Sequence, residues 1–207
     1  MEITLQGNAR ITGRMAHISL LRGLVLGLIG GLAGTLAMEL VQIGALSALG
    51  MPTDTCFSTI GSTVTHFFSL LGIKITGGAM LGIATYHLIG PVLGATYGFA
   101  VSQVGALQGA TLKKNLNYAV LYAEVLSQLI LALAPILLKM SAYETLLWFG
   151  GSCVLHLIWG VVLGDVMHHG LRAESLTGSS GRGERKKQIG RNLPSEGPGE
   201  ILWKIKK

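Results

Sequence analysis

Four ionisable side chains fall inside long apolar stretches of this chain: Glu39, His87, Glu124 and His156. Four polar residues support them. Thr35 lies one helical turn before Glu39, and Ser127 and Gln128 follow Glu124 by three and four residues, on the same helical face. Asp165 stands near the end of the last apolar stretch. Carboxylates and imidazoles exchange protons, so such a set across a membrane suits a proton or small-solute path or a proton sensor. Two histidines and a glutamate (His87, His156 and Glu124) also suit a divalent metal. The inert alternative is hydrogen bonding between helices, worth about 0.6 kcal/mol per contact. The sequence contains no GxSxG, HExxH, CxxC or Walker A pattern, so no catalytic residue is assigned. No cofactor is expected. Two mid-membrane histidines are able to ligate a haem, but nothing else in the sequence asks for one.

The elements that must position these groups follow from composition. The chain has 207 residues, half of them hydrophobic and 13% charged, against about 25% charged in a typical soluble domain. Mean hydropathy is +0.56. Disordered chains, coiled coils and disulfide scaffolds are excluded, and an ordinary soluble enzyme is disfavoured. The fold class expected is all-α: a polytopic four-helix transmembrane bundle with an additional amphipathic interfacial helix. The spans are expected at about 23–48, 77–103, 117–138 and 144–167, each near the ~20 residues a helix needs to cross a bilayer. Backbone groups find no water in lipid, so these stretches are helical.

The stretch at about 54–73 differs. Phe57, Ile60, Val64, Phe67, Phe68 and Leu71 follow a helical period, with Ser, Thr and His66 between them. It is expected to lie in or dip into the interface, with Asp54 at its N-cap, and a fifth crossing is the alternative. Residues 1–170 form the transmembrane domain in this reading. Residues 171–207 read as a disordered basic cytoplasmic tail.

Charge sets the orientation. The net charge of +6 sits at the ends: residues 171–207 carry nine Lys or Arg against four Glu. Basic ends around an apolar middle suit lipid headgroups and do not suit nucleic acid. The 104–116 loop holds Lys113 and Lys114. The positive-inside rule therefore places this loop and both termini in the cytoplasm of a multi-pass inner-membrane protein. A cleaved signal peptide is not expected, because the first apolar run is long and no A-x-A-like site closes it. Cys56 and Cys153 are the only cysteines, and no disulfide between them is expected.

Glycines repeat every four residues at 23, 27 and 31, and again at 90, 94 and 98. Ser152, His156, Gly160 and Gly164 mark a third such face. Small residues at this spacing let helix backbones approach closely. They are expected to serve packing within the bundle or a homodimer seam. Beside the lipid bilayer itself, a membrane-protein partner is the other interaction expected.

By helical rise, about 1.5 Å per residue, His87, Glu124 and His156 lie near the midplane and Glu39 nearer the outer third. One central polar cluster is the expectation. An internal echo accompanies it: HLIGPVLG from His87 and HLIWGVVLG from His156, each preceded by a segment with one glutamate. Two repeated hairpins in parallel orientation would produce that pattern.

The second half resembles the YagU-type family of small bacterial inner-membrane proteins. The resemblance rests on YHLIGPVLGATYG at 86–98, AEVLSQLILALAPILL at 123–138, and Glu144 followed by GGSCVLHLIWGVVLGDVMHHGLR. The matching positions are His87, Tyr97, Gln128, Leu129, Pro135, Glu144, His156, Leu157 and Trp159. This chain departs in having Leu155 directly before His156. The resemblance covers roughly 80–172 and implies an integral inner-membrane protein linked to acid tolerance, without a defined molecular activity. Two functions are carried forward: proton or small-solute passage or sensing through the Glu/His groups, and an accessory role in a larger membrane complex.

Overall fold

The computed structural model describes residues 19–104, 107 and 110–191, with side chains described as far as Arg172. The fold is all-α. The helices are α1 Leu20–Ala48, α2 Thr55–Leu70, α3 Ala79–Gln103, α4 Leu112–Leu131, α5 Leu133–Leu138 and α6 Ala142–Arg191. Among the described residues four stretches are long and apolar enough to cross a membrane: Leu20–Ala48, Ala79–Gln103, Leu112–Leu138 and Ala142–Arg172. They match the four expected spans, with ends shifted by a few residues. The chain divides into two units, Met1–His169 and Gly170–Lys207. In the second unit residues 170–191 have helical backbone where composition predicts disorder from 171. Helix propagation adds one backbone bond per residue at little cost once a helix exists. Residues 192–207, with the basic ILWKIKK end, lie outside the described residues, as do 1–18.

The bundle is built inside out relative to a soluble protein. Leu40, Leu88, Leu129 and Ile136 are exposed, while Gly27, Gly31, Thr35, Gln42 and Ser127 are buried. Lipid tails are as apolar as leucine, so apolar side chains gain nothing by turning inward. Close backbone approach decides the packing.

The α1–α3 contact shows this most plainly. Gly23, Gly27 and Gly31 face Gly98, Gly94 and Gly90 in antiparallel order. A Cβ at Gly94 would overlap the Gly27 carbonyl oxygen, and one at Gly98 would overlap that of Gly23. Both glycine stripes are thus occupied within one chain. The adjacent face of α1 meets α6, where Gly30 lies under Leu163 and Gly34 under Trp159. Gly160 and Gly164 of α6 in turn admit Val120, Leu116 and Ala119 of α4.

Pro135 explains the break between α4 and α5. Proline has no N–H, so the carbonyl of Leu131, four residues back, loses its helical partner. The helix interrupts at Ala132, and the indole N–H of Trp148 on α6 donates to the Leu131 oxygen at 3.1 Å. A lost backbone bond is replaced from a neighbouring helix, as an apolar medium requires.

The additional helix α2 does not span. It packs along the start of α3, where Gly82 sits against the Phe57 carbonyl and Gly61 against that of Gly78. Its polar residues turn back on their own backbone. Thr59 donates to Thr55 O at 3.0 Å, Thr63 to Thr59 O at 2.8 Å and Thr65 to Gly61 O at 2.9 Å. Hydroxyls satisfied this way need no water. Asp54 does occupy the N-cap position, but its carboxylate accepts from the Ser58 hydroxyl at 3.5 Å and caps no backbone N–H.

Candidate functional site

The α1–α3 seam ends at a Glu–His pair. Beyond Gly31 and Gly90 the glycine faces give way to larger residues, and Glu39 meets His87 across the seam. Glu39 Oε2 and His87 Nε2 are 3.2 Å apart, and both side chains are half-buried. His87 Nδ1 lies 3.0 Å from the carbonyl oxygen of Ile83, one turn earlier. A carbonyl only accepts, so Nδ1 carries a proton and Nε2 is the position that varies. A hydrogen bond at this contact needs one proton between Nε2 and Oε2, whether the pair is written as imidazolium and carboxylate or as imidazole and carboxylic acid. Tyr86 packs edge-on against the His87 ring, with centroids 5.6 Å apart.

The second hairpin repeats the geometry without closing it. His156 Nδ1 lies 2.7 Å from the Ser152 carbonyl, the same one-turn contact. Gly160 sits against Val120 as Gly90 sits against Thr35, and Gly164 against Leu116 as Gly94 against Gly31. The short sequence echo therefore reflects two hairpins with matching contacts. Glu124 occupies the place of Glu39, but no ion pair joins it to His156 among the described residues. Its Oε2 accepts from Gln128 Nε2 at 3.3 Å, and its buried Oε1 has no hydrogen-bond partner. Gln128 Nε2 also lies 3.5 Å from the Ser152 hydroxyl, which ties α4 to α6.

The single central cluster expected from depth is not formed. Glu39 and His87 make one pair, while Glu124 and His156 belong to the other hairpin. Among the described residues no group of three or more His, Cys, Asp or Glu is placed to hold a metal. The candidate ligand set His87, His156 and Glu124 is therefore not assembled. The supporting residues also divide. Ser127 donates to its own helix at Glu124 O, 3.2 Å away. Asp165 pairs with His169 at 3.4 Å on an exposed face. Thr35 makes no hydrogen bond to Glu39 among the described residues. It donates to Gly31 O at 2.8 Å and lies 3.3 Å from the Trp159 indole nitrogen. Thr35 is 1% exposed, and Gly90 of α3 packs on its side chain, so α1, α3 and α6 meet there.

A cavity of about 850 Å³ opens between the four spans at the end that carries α2. The late turns of α1 and α4 and the early turns of α3 and α6 line it. Gln42, Tyr86, Tyr122, Trp148, His156 and Trp159 contribute its polar and aromatic wall, and most of the rest is aliphatic. Sequence reading missed Gln42, Tyr86 and Trp148, and reached Trp159 only as a position of the family resemblance. Gln42 carried a signal: an uncharged polar side chain one turn after Glu39 in an apolar span.

The other end of the bundle is packed. Leu163 and Ala119 are fully buried, and Met167 and Val101 are 1% exposed. Polar groups there bond to one another, except for Asn115 Oδ1, which is buried without a partner. Tyr97 Oη donates to Asn115 O at 3.4 Å, and Asn115 Nδ2 lies 3.4 Å from His168 Nδ1. Among the described residues no chain of hydrogen bonds joins them to either Glu–His hairpin.

The chain matches no known family, no curated protein and no solved structure. The YagU-type resemblance rests on its sequence motifs alone.

Proposed function

We propose that this multi-pass membrane protein senses protons from within the bilayer through Glu39 and His87, and does not carry them through its bundle. The observation that carries the reading is the 3.2 Å Nε2–Oε2 contact, with Nδ1 already committed to Ile83. An unpaired acidic side chain near mid-membrane costs about 2.5–3.5 kcal/mol on insertion scales, so the pair holds α1 to α3 while one proton is shared. A second proton turns it into imidazolium facing a neutral acid. Loss of the shared proton leaves carboxylate facing neutral imidazole. Either change weakens the link at the open end of the glycine seam. Tyr86, which packs on His87 and lines the cavity, passes the change to the cavity wall.

Sensing is favoured over conduction by the close packing of Leu163, Met167, Val101 and Ala119 at the other end. The proposed setting is a bacterial inner membrane with both termini and the 104–116 loop in the cytoplasm, on the strength of the lysine and arginine distribution.

Proteoliposomes test the reading. With an imposed pH gradient, the parent protein is expected to give no proton flux above empty liposomes. Acidification is expected to raise amide exchange along the outer turns of α1 and α3 in the parent but not in Glu39→Gln. Flux that Glu39→Gln abolishes would replace sensing with conduction. No flux and no exchange response would leave an accessory structural role.

A further inference from the structure

The proton reading leaves the interior of the cavity unoccupied by any assigned role. Three observations define what would fill it. First, its wall is mainly aliphatic and aromatic, and its size falls within the range of about 300–1,000 Å³ typical of small-molecule sites. Second, among the described residues none that lines it is Lys or Arg. The one carboxylate on its wall, Glu144, already accepts from the backbone N–H of Ser141 at 2.7 Å. An anionic headgroup therefore finds no counter-charge, and a cationic one finds only a carboxylate already engaged. Third, two lining residues hold buried polar atoms with no hydrogen-bond partner, Gln42 Nε2 and Tyr86 Oη. Gln42 is 4% exposed. Both groups donate, and a buried donor without an acceptor is costly. The missing component is an acceptor.

We infer that the cavity binds a neutral lipid-like molecule whose carbonyl oxygens accept from Gln42 and Tyr86 and whose apolar tail lies among the aliphatic side chains. Two sources carry this chemistry: an isoprenoid-type quinone, with ring carbonyls, and a neutral glyceride, with ester carbonyls. Trp148 and Trp159 on the wall supply flat surfaces against which a ring or an ester packs. The inference does not rest on the proton reading, because neither Glu39 nor His87 lines the cavity.

The experiment uses the full chain in lipid nanodiscs. Tryptophan fluorescence is followed while a benzoquinone with a ten-carbon tail is added, and separately while dioleoylglycerol displaces it. The parent is expected to bind saturably. Gln42→Leu and Tyr86→Phe are each expected to weaken binding about tenfold, the effect of one lost hydrogen bond. Gly151→Leu fills the cavity where an added Cβ meets nothing within 4 Å. It is expected to abolish binding while circular dichroism stays unchanged. Displacement by dioleoylglycerol, with weak quinone affinity, assigns the glyceride. Quinone binding that dioleoylglycerol does not displace assigns the quinone. Binding unaffected by all three substitutions, no saturable binding of either probe, or displacement by phosphatidic acid would each overturn the inference.

Discussion

The indole N–H of Trp159 on α6 donates to the carbonyl oxygen of Gly31 on α1 at 3.1 Å. The same nitrogen lies 3.3 Å from the Thr35 hydroxyl, and the ring covers Gly34. One side chain thus joins the first and last spans where α3 also touches α1. Trp159→Phe keeps an aromatic ring at the site, removes the donor and also loses the volume of the second ring. It is expected to destabilise the bundle by about 1 kcal/mol, read from unfolding in mixed micelles. Unchanged stability would mean that the indole N–H contributes nothing to the α1–α6 contact.

The glycine seam makes a sharper contrast. At Gly94 an added Cβ overlaps backbone of Gly27 and Gly31, which cannot rotate away. At Gly44, also helical, it meets nothing within 4 Å. Gly94→Ala is expected to cost about 1–3 kcal/mol through overpacking. Gly44→Ala is expected to be neutral or stabilising by up to about 1 kcal/mol, since alanine favours the helix. Equal effects at the two sites would show that α1 and α3 do not meet along this stripe.

The start of α6 is a capping box. Ser141 Oγ accepts from the Glu144 N–H at 3.3 Å, and the Glu144 carboxylate accepts from the Ser141 N–H at 2.7 Å. The Ser-x-x-Glu signature is legible in the sequence. Ser141→Ala is expected to cost about 1 kcal/mol. Glu144→Gln, which keeps an acceptor, is expected to cost less than Glu144→Ala in the same unfolding assay.

Cysteine chemistry reports the placement of α2. Burial pushes the Cys56 thiol above its ordinary range. The thiolate is the reactive form, so in a Cys153→Ser background Cys56 is expected to alkylate slowly at neutral pH. Its rate should still climb where a free thiol, with a pKa of about 8.5, has levelled off. In oriented vesicles, reaction is expected from the face opposite the termini. Labelling as fast as free cysteine, or from the cytoplasmic face, would contradict the placement of α2.

The spans were legible because each is a run of apolar residues long enough to cross lipid, and hydropathy alone reports that. The non-spanning helix was legible from the period of Phe57, Ile60 and Val64. The polar cluster was not. Helical rise fixes the height of Glu39, His87, Glu124 and His156, but each residue turns the helix by about 100°, so height says little about azimuth. Which sides face one another is set by the stripes of Gly23, Gly27 and Gly31 against Gly90, Gly94 and Gly98. That register brings Glu39 to His87. In the second hairpin Gln128 engages Glu124, and the matching pair stays open. Thr35 was read as a neighbour of Glu39 along the helix, whereas its hydroxyl bonds to Gly31 O and accepts from Trp159, far away in sequence.

The pairing of Glu39 with His87 is the claim on which the functional account depends. Infrared difference spectroscopy across a pH step, on the protein in lipid bilayers, tests it most directly. The parent is expected to show a carboxyl C=O band together with imidazole bands that change in concert. Glu39→Gln should remove the carboxyl band and alter the imidazole bands of His87, and His87→Gln should shift the carboxyl band without removing it. Imidazole bands that Glu39→Gln leaves untouched, or a carboxyl band indifferent to His87→Gln, would show that the two groups titrate independently and would contradict the account.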